Sequence, residues 1–581
     1  MKRRTGKIFC ALALVLGLAV LGLAQTKTLT ILHTNDTHST LLPFTHQPYP
    51  SPFAWLWDHR QGWGDEFRGP LGFDREYGGM ARMATLIKKF RATQKNVLAF
   101  NAGDVFVGSF MFNEYLGWPE FKIMEGLYDA MTPGNHEFDL GISTLEAVLG
   151  GALPGTAPIT LPILNANYNF GAVGGYPPSA LAGLTQAHLI RDVDGIKVGI
   201  FGIGNEETTN FQPEMIVRFA GDNLWTIAGT QAAILRAAGC QVVICLSHLG
   251  TEYDIQGLSL VPDIDIIIGG DSHDLFRRAV LANGKIIVQA GSHARYLGDL
   301  RVAVGAGDGV KFLSWRTHEV DKTVKPDPAT QSYLATLQAG VEQDPRFGDV
   351  FTEPVAYAVR NIENNWPATG PNRDAPLGIL VADAMKAALL AATGIPPVDC
   401  VLDPLGYTEF GIPVGKVVGN DVLRAVPYGY DPASGLGFKL YVVPLDGATL
   451  LALLEYTVTY VEFTRSLSVQ PSGLTFAYDS SQPPSPGLGQ FSRLDLASVK
   501  IGGVNVFPAN LGKIYFVGMT DGVYNFLDRL TNGGMPPNYD PGIFEYTAVR
   551  DYMHTLGFVK YESQGRVIDT AATAAAPLIR K

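Results

Sequence analysis

Short, almost wholly apolar runs alternate with amphipathic stretches through the first half of the chain. The runs are Thr28–His33, Val97–Asn101, Ala130–Thr132, Val198–Ile203, Gln241–Leu246, Ile264–Ile268 and Lys285–Gln289. Their near-continuous Val, Ile and Leu content suits strands buried on both faces rather than a sheet with one wet side. Between them, Met80–Thr93 and Trp118–Tyr128 read as helices. This alternation predicts a layered α/β domain over residues 26–325. Residues 41–77, with Trp55, Trp57 and Trp63 among Pro and Gly, interrupt it as an excursion between the first strand and first helix. A more polar stretch, 326–349, holds one predicted connector helix, Pro328–Gln343. A second α/β domain is predicted over 350–562, with helices at Leu377–Thr393 and Gly447–Val458 and a strand at Lys439–Pro444. Residues 563–581 are rich in small side chains and are expected to fray.

Residues 1–24 stand outside this alternation. Lys2, Arg3, Arg4 and Lys7 precede an apolar run from Ile8 to Ala24, which ends on small residues. That is the pattern of a signal peptide, and it predicts a secreted or periplasmic protein. The alternative is a membrane anchor, but a run of about 17 residues sits at the lower limit for spanning a bilayer. No stable membrane insertion is expected after cleavage. Cys240, Cys245 and Cys400 read as buried thiols rather than a disulfide framework.

Composition narrows the chemistry. Hydrophobic residues make up 46% and charged residues 17% of 581, which excludes a disordered chain. With 44 Lys and Arg against 55 Asp and Glu, the net charge of −11 argues against a nucleic-acid polymer as partner. An acidic chain acting on an anionic substrate needs positive charge from another source, and bound metal supplies it.

The loops that end the apolar runs carry the candidate ligands. They are Asn35-Asp36-Thr37-His38, Asn101-Ala102-Gly103-Asp104, Gly134-Asn135-His136-Glu137-Phe138-Asp139, Ser247-His248-Leu249-Gly250 and Gly269-Gly270-Asp271-Ser272-His273. Strand carboxyl ends are where α/β sheets form ligand crevices. Asp36 and His38, two apart, would share one face of extended chain. One Asp-x-His or Gly-Asn-His is commonly turn or capping chemistry; five such loops in succession point to a two-metal site. Carboxylate, amide and imidazole donors together suit Mn²⁺, Zn²⁺ or Fe²⁺ better than Ca²⁺.

This series resembles the calcineurin-like metallophosphoesterases. The whole chain resembles the secreted 5′-nucleotidase/UDP-sugar-hydrolase family, which adds a C-terminal substrate domain that swings about the connector. The resemblance implies that Asp36, His38 and His273 hold one metal, that Asn135, His248 and Asp271 hold the second, and that Asp104 bridges them. It casts His136 and Asp139 as the catalytic dyad, with Asp139 orienting the imidazole. Two divalent ions are thus the expected cofactors. Asp271 stands where the family usually has His, which removes about one unit of positive charge and favours a harder ion such as Mn²⁺. His293, in Gly291-Ser292-His293, reads as a supporting rather than a ligating residue.

The resemblance implies a small-molecule phosphate ester, a nucleotide above all, as substrate. The family loop Asn-x-Gly-Gly-x-Arg, whose Arg holds the phosphate, is here Asp403-Pro404-Leu405-Gly406-Tyr407-Thr408, leaving Arg373 or Arg424 to compensate. Tyr428, in Pro427-Tyr428-Gly429-Tyr430, replaces a base-stacking Phe, with a core aromatic as the alternative. Tyr524 or Phe526 is the candidate second stacking partner. The altered loop leaves open a same-scaffold hydrolase with a non-nucleotide substrate, such as a sulfur-oxidation thiohydrolase, or a non-catalytic binding protein.

Overall fold

The computed structural model describes residues 26–45, 76–207, 213–220, 223–305, 309–459, 461, 465–485, 487 and 489–573. The segment 1–24, expected to be a signal peptide, and most of the 41–77 excursion, with its three tryptophans, lie outside the described residues.

The N-terminal half is two face-to-face sheets. The first is built from β1 (Lys27–Thr34), β2 (Val97–Asn101), β3 (Ala130–Met131), β10 (Tyr296–Gly305) and β11 (Gly309–Glu319), in the order β11-β10-β1-β2-β3. The second is built from β4 (His188–Val193), β5 (Ile196–Gly204), β6 (Val242–His248), β7 (Ile266–Gly269), β8 (Val280–Ala282) and β9 (Lys285–Val288), in the order β4-β5-β6-β7-β9-β8. Leu29, Ile31, Leu98 and Phe100 of the first sheet pack against Val198, Ile200, Ile244 and Ile268 of the second, all buried. Helices such as Met80–Thr93 and Leu224–Ala237 cover the outer faces. Burial on both sides therefore explains the unbroken aliphatic runs. β1, β2 and β3 are parallel, and so are β5, β6 and β7. The candidate loops all leave the carboxyl ends of these strands.

The helix Pro328–Gln343 begins where its sequence says it should. Asp327 accepts the Thr330 N–H at 3.0 Å as N-cap, and Pro328 takes the first turn. In the C-terminal half, the strand Cys400–Pro404 lies between Ile514–Thr520 and Val469–Ser472, and Leu440–Asp446 forms the edge beyond Ile514–Thr520. The buried helix Pro376–Ala391 packs against this sheet. Cys240, Cys245 and Cys400 are free and buried.

The chain end corrects the expectation of a frayed segment from 563. Val567–Asp569 adds a parallel strand against Leu474–Tyr478, and Arg566 makes a two-pronged contact with Asp383 at 2.7 and 2.8 Å. Residues 574–581 lie outside the described set. One apolar core joins the two halves, running from Val107 and Phe110 to Val422, Leu436 and Tyr546. Phe110 is fully buried there, and its burial is worth about 2 kcal/mol.

Candidate functional site

Asp36, His38 and Ser39 turn away from β1 with φ of 49°, 41° and 43°. The pair is thus displayed by a left-handed turn, not by extended chain as the spacing suggested, yet both side chains reach one buried point. His38 Nδ1 faces the Phe106 carbonyl at 3.2 Å, which fixes the proton on Nδ1 and leaves Nε2 bare, 3.0 Å from His273 Nε2. His248 is arranged alike: Nδ1 donates to the Ala102 carbonyl at 2.6 Å. Its Nε2 lies 3.1 Å from Asp104 Oδ2 and 3.2 Å from Asn135 Oδ1. Asp36–His38–His273 and Asp36–Asp104–His248 each bring ligand atoms within 4.8 Å of one another. Asp104 stands between these groups, 4.0 Å from His38 Nε2. Asp271 joins through Asn205, whose amide donates to Asp271 Oδ1 at 2.6 Å and Asn135 Oδ1 at 3.1 Å.

So many buried lone pairs facing one another repel unless a cation lies among them. The residues present therefore fit divalent metal ions. The electrostatics agree. Burial opposes a charged His248, but Asp104, Asp36 and Asp271 outweigh it and raise its pKa well above the usual value, the response of a site that wants positive charge.

His136 stands as close to His38 and Asp104 as the ligand groups stand to one another, but it is held differently. Its Nδ1 is 2.7 Å from Asp139 Oδ2, its main-chain N–H donates to Asp104 Oδ1 at 3.0 Å, and its ring stacks on Tyr428 with centroids 5.8 Å apart. Burial pulls its pKa down, but Asp139 and then Asp104 push it up to about 10.

The loop carrying Asp104 owes its shape to Glu137. This buried carboxylate accepts the N–H groups of Asp104 at 3.0 Å, Val105 at 2.7 Å, Phe106 at 3.3 Å and Gly134 at 2.5 Å. Gly134 has no room for a side chain: a Cβ there would lie 2.1 Å from Asp104 Oδ1 and 2.5 Å from His248 Nε2.

A cavity of about 630 Å³ opens between the halves. Asn135, His136 and Asp139 form one end; Tyr407, Tyr428, Phe438 and Phe526 line it, and Arg529 places a cation in its wall. Tyr428 is thus in the cavity. Arg373 is held instead by Asp569 at 3.3 Å and by the Gly370 and Asn372 carbonyls, and Tyr524 donates to the Pro536 carbonyl at 3.1 Å; neither is part of the lining. Arg424 is buried against Phe410, 4.0 Å from its ring centroid. Glu409 of the C-terminal half reaches the site as well, with Oε1 3.2 Å from His293 Nε2. Sequence reasoning missed Glu137, Asn205, Glu409 and Arg529. Glu137, inside Gly134-Asn135-His136-Glu137, and Asn205, just past the apolar run Val198–Ile203, carried a positional signal; Glu409 and Arg529 did not.

The calcineurin-like phosphoesterase family matches residues 29–275, and the 5′-nucleotidase C-terminal domain family matches 355–524. A snake venom 5′-nucleotidase from Crotalus adamanteus is 30% identical over 586 residues, covering 94% of this chain and 89% of that one. A trifunctional nucleotide phosphoesterase from Bacillus subtilis is 26% identical over 482 residues, 78% of this chain but 29% of that longer protein. The crystal structure of a 5′-nucleotidase precursor from Thermus thermophilus superposes with a TM-score of 0.73 at 25% identity, covering 93% of this chain and 99% of that one. Alike in sequence over nearly its whole length and in fold, the chain belongs to the 5′-nucleotidase family.

Proposed function

We propose that this protein is an exported, two-metal phosphoesterase that hydrolyses nucleotides or related small phosphate esters. The observation that carries the reading is the continuity of one cavity, from Asn135 and His136 to the aromatic walls of the C-terminal half. Asp36, His38 and His273 would hold one ion, Asn135, His248 and Asp271 the other, and Asp104 both. Bound there, divalent ions supply an activated water and a charge clamp on the phosphoryl oxygens. The third aspartate, Asp271, supports Mn²⁺ as the preferred ion.

The chain's own residues handle the rest. Asp139 holds the His136 Nδ1 proton, so Nε2 is the atom that faces the reacting group and delivers a proton to the leaving oxygen. Tyr428 and Phe526 offer flat faces for a nucleobase, and Arg529 offers a cation to its phosphate or sugar end. The apolar, small-residue-ended segment 1–24 supports export.

The test is a panel of AMP, UDP-glucose, 2′,3′-cyclic nucleotides and bis-p-nitrophenyl phosphate with Mn²⁺. Hydrolysis of at least one nucleotide is expected, and silence on all four overturns the reading. Such silence would favour the same-scaffold hydrolase with a non-nucleotide substrate, to which the arginine-free loop Asp403–Thr408 lends support.

A further inference from the structure

Where the two halves touch, two donors beyond the seven candidate ligands converge on His273. His293 is anchored to the first loop by its main-chain N–H, which donates to the Asp36 carbonyl at 2.6 Å. Its Nδ1 lies 2.8 Å from Ser292 Oγ. The buried Nε2 has no hydrogen-bond partner among the described residues, although Glu409 Oε1 is only 3.2 Å away. Glu409 arrives from the loop after the strand Cys400–Pro404, in the opposite half. Its other oxygen, Oε2, accepts the Tyr428 hydroxyl at 2.9 Å, and this aims the carboxylate at the histidines. The ligand atoms of His273, His293 and Glu409 all lie within 4.8 Å of one another.

A ring nitrogen and a carboxylate oxygen this close, without a hydrogen bond between them, are stable when a shared cation separates their lone pairs. Two imidazoles and one carboxylate are a donor set for Mn²⁺, Fe²⁺ or Zn²⁺. We propose that Glu409 and His293 are metal ligands contributed across the interface, joined to the main centre through His273, so that divalent-ion binding clamps the two halves together. This rests on the two-metal reading above. It also gives the altered substrate loop a role: beside the metals the second half presents a carboxylate, and an anionic ester has to displace it to reach the same ion.

The test uses the full chain stripped of metal, with two readouts besides turnover: Mn²⁺ affinity by calorimetry and radius of gyration by small-angle X-ray scattering. In the parent, Mn²⁺ should bind and compact the molecule. Glu409→Gln keeps an acceptor for Tyr428 but loses the charge; it should weaken one bound ion about tenfold or more and abolish the compaction. His293→Ala should do the same. A parent that binds no Mn²⁺ overturns both this inference and the metal reading. A parent that binds Mn²⁺, with both variants binding it equally well, overturns this inference alone, whether or not their compaction changes.

Discussion

His136 concentrates the chemical claim at the scale of single residues. Its ring is engaged by groups that are not candidate ligands: Asp139 holds its Nδ1 and Tyr428 covers its face. His136→Ala should therefore retain bound metal yet lose about 10²–10⁴-fold in kcat. Steady-state turnover with metal analysis on the same sample checks this, and equal activity in variant and parent refutes the role. Glu137 makes a different prediction. Removing its carboxylate strips the acceptor from four backbone N–H groups beneath Asp104 and Gly134. Glu137→Ala should cost about 3 kcal/mol of stability and weaken metal binding about 10–100-fold. Thermal unfolding with and without Mn²⁺ measures both, and an unchanged midpoint contradicts the assignment. Asp36, His38, Asp104, Asn135, His248, Asp271 and His273 were legible because each follows an apolar strand. Glu409 and Arg529 were not: they approach from the far half, and nothing local distinguishes them from solvated surface charges.

Among the elements of the N-terminal half, the strands with a parallel neighbour announced themselves as aliphatic runs, and the purely antiparallel β4, β8, β10 and β11 did not. β10 and β11 carry Asp299, Arg301, Arg316 and His318 among their aliphatics; Asp299 pairs with Arg301 on its own strand and with His318 across the hairpin. β11 is largely exposed, so its pattern lacks the unbroken run by which its neighbours were read. The strand at Val567–Asp569 hid behind small residues because its anchor, the Arg566–Asp383 pair, spans 183 positions. The strand Cys400–Pro404 supports a prediction of its own. Asp403, near its end, is fully buried with neither oxygen hydrogen-bonded among the described residues. Burial pushes its carboxyl up to about 8, so it stays protonated at neutral pH and serves much as an amide would. A carboxyl with a raised folded-state pKa loses stability as pH climbs from its unfolded value near 4 to about 8. Asp403→Asn does not titrate. Its stability relative to the parent should grow across that window with a slope approaching about 1.4 kcal/mol per pH unit. Denaturant unfolding at pH 5 and pH 8 decides it, and a difference that does not change with pH refutes it.

At the scale of the whole molecule, the apolar core from Phe110 to Tyr546 and the cavity between His136 and Phe526 make the site a property of both halves. The two-domain order was readable from the alternation of strands and helices and from the polar connector. The face-to-face sheets were not, because that pairing depends on contacts between runs far apart in sequence. The central claim is that loops from both sheets assemble a centre whose activity requires two divalent ions. The most direct measurement strips the protein of metal and titrates Mn²⁺ back, counting bound ions by mass spectrometry while following phosphate release from the most reactive ester of the panel. The account predicts no turnover without metal and maximal turnover at two ions per chain, with two-ion binding and turnover lost in Asp104→Asn. Full activity in the metal-free protein, or an Asp104→Asn variant that binds two ions and turns over like the parent, would contradict it.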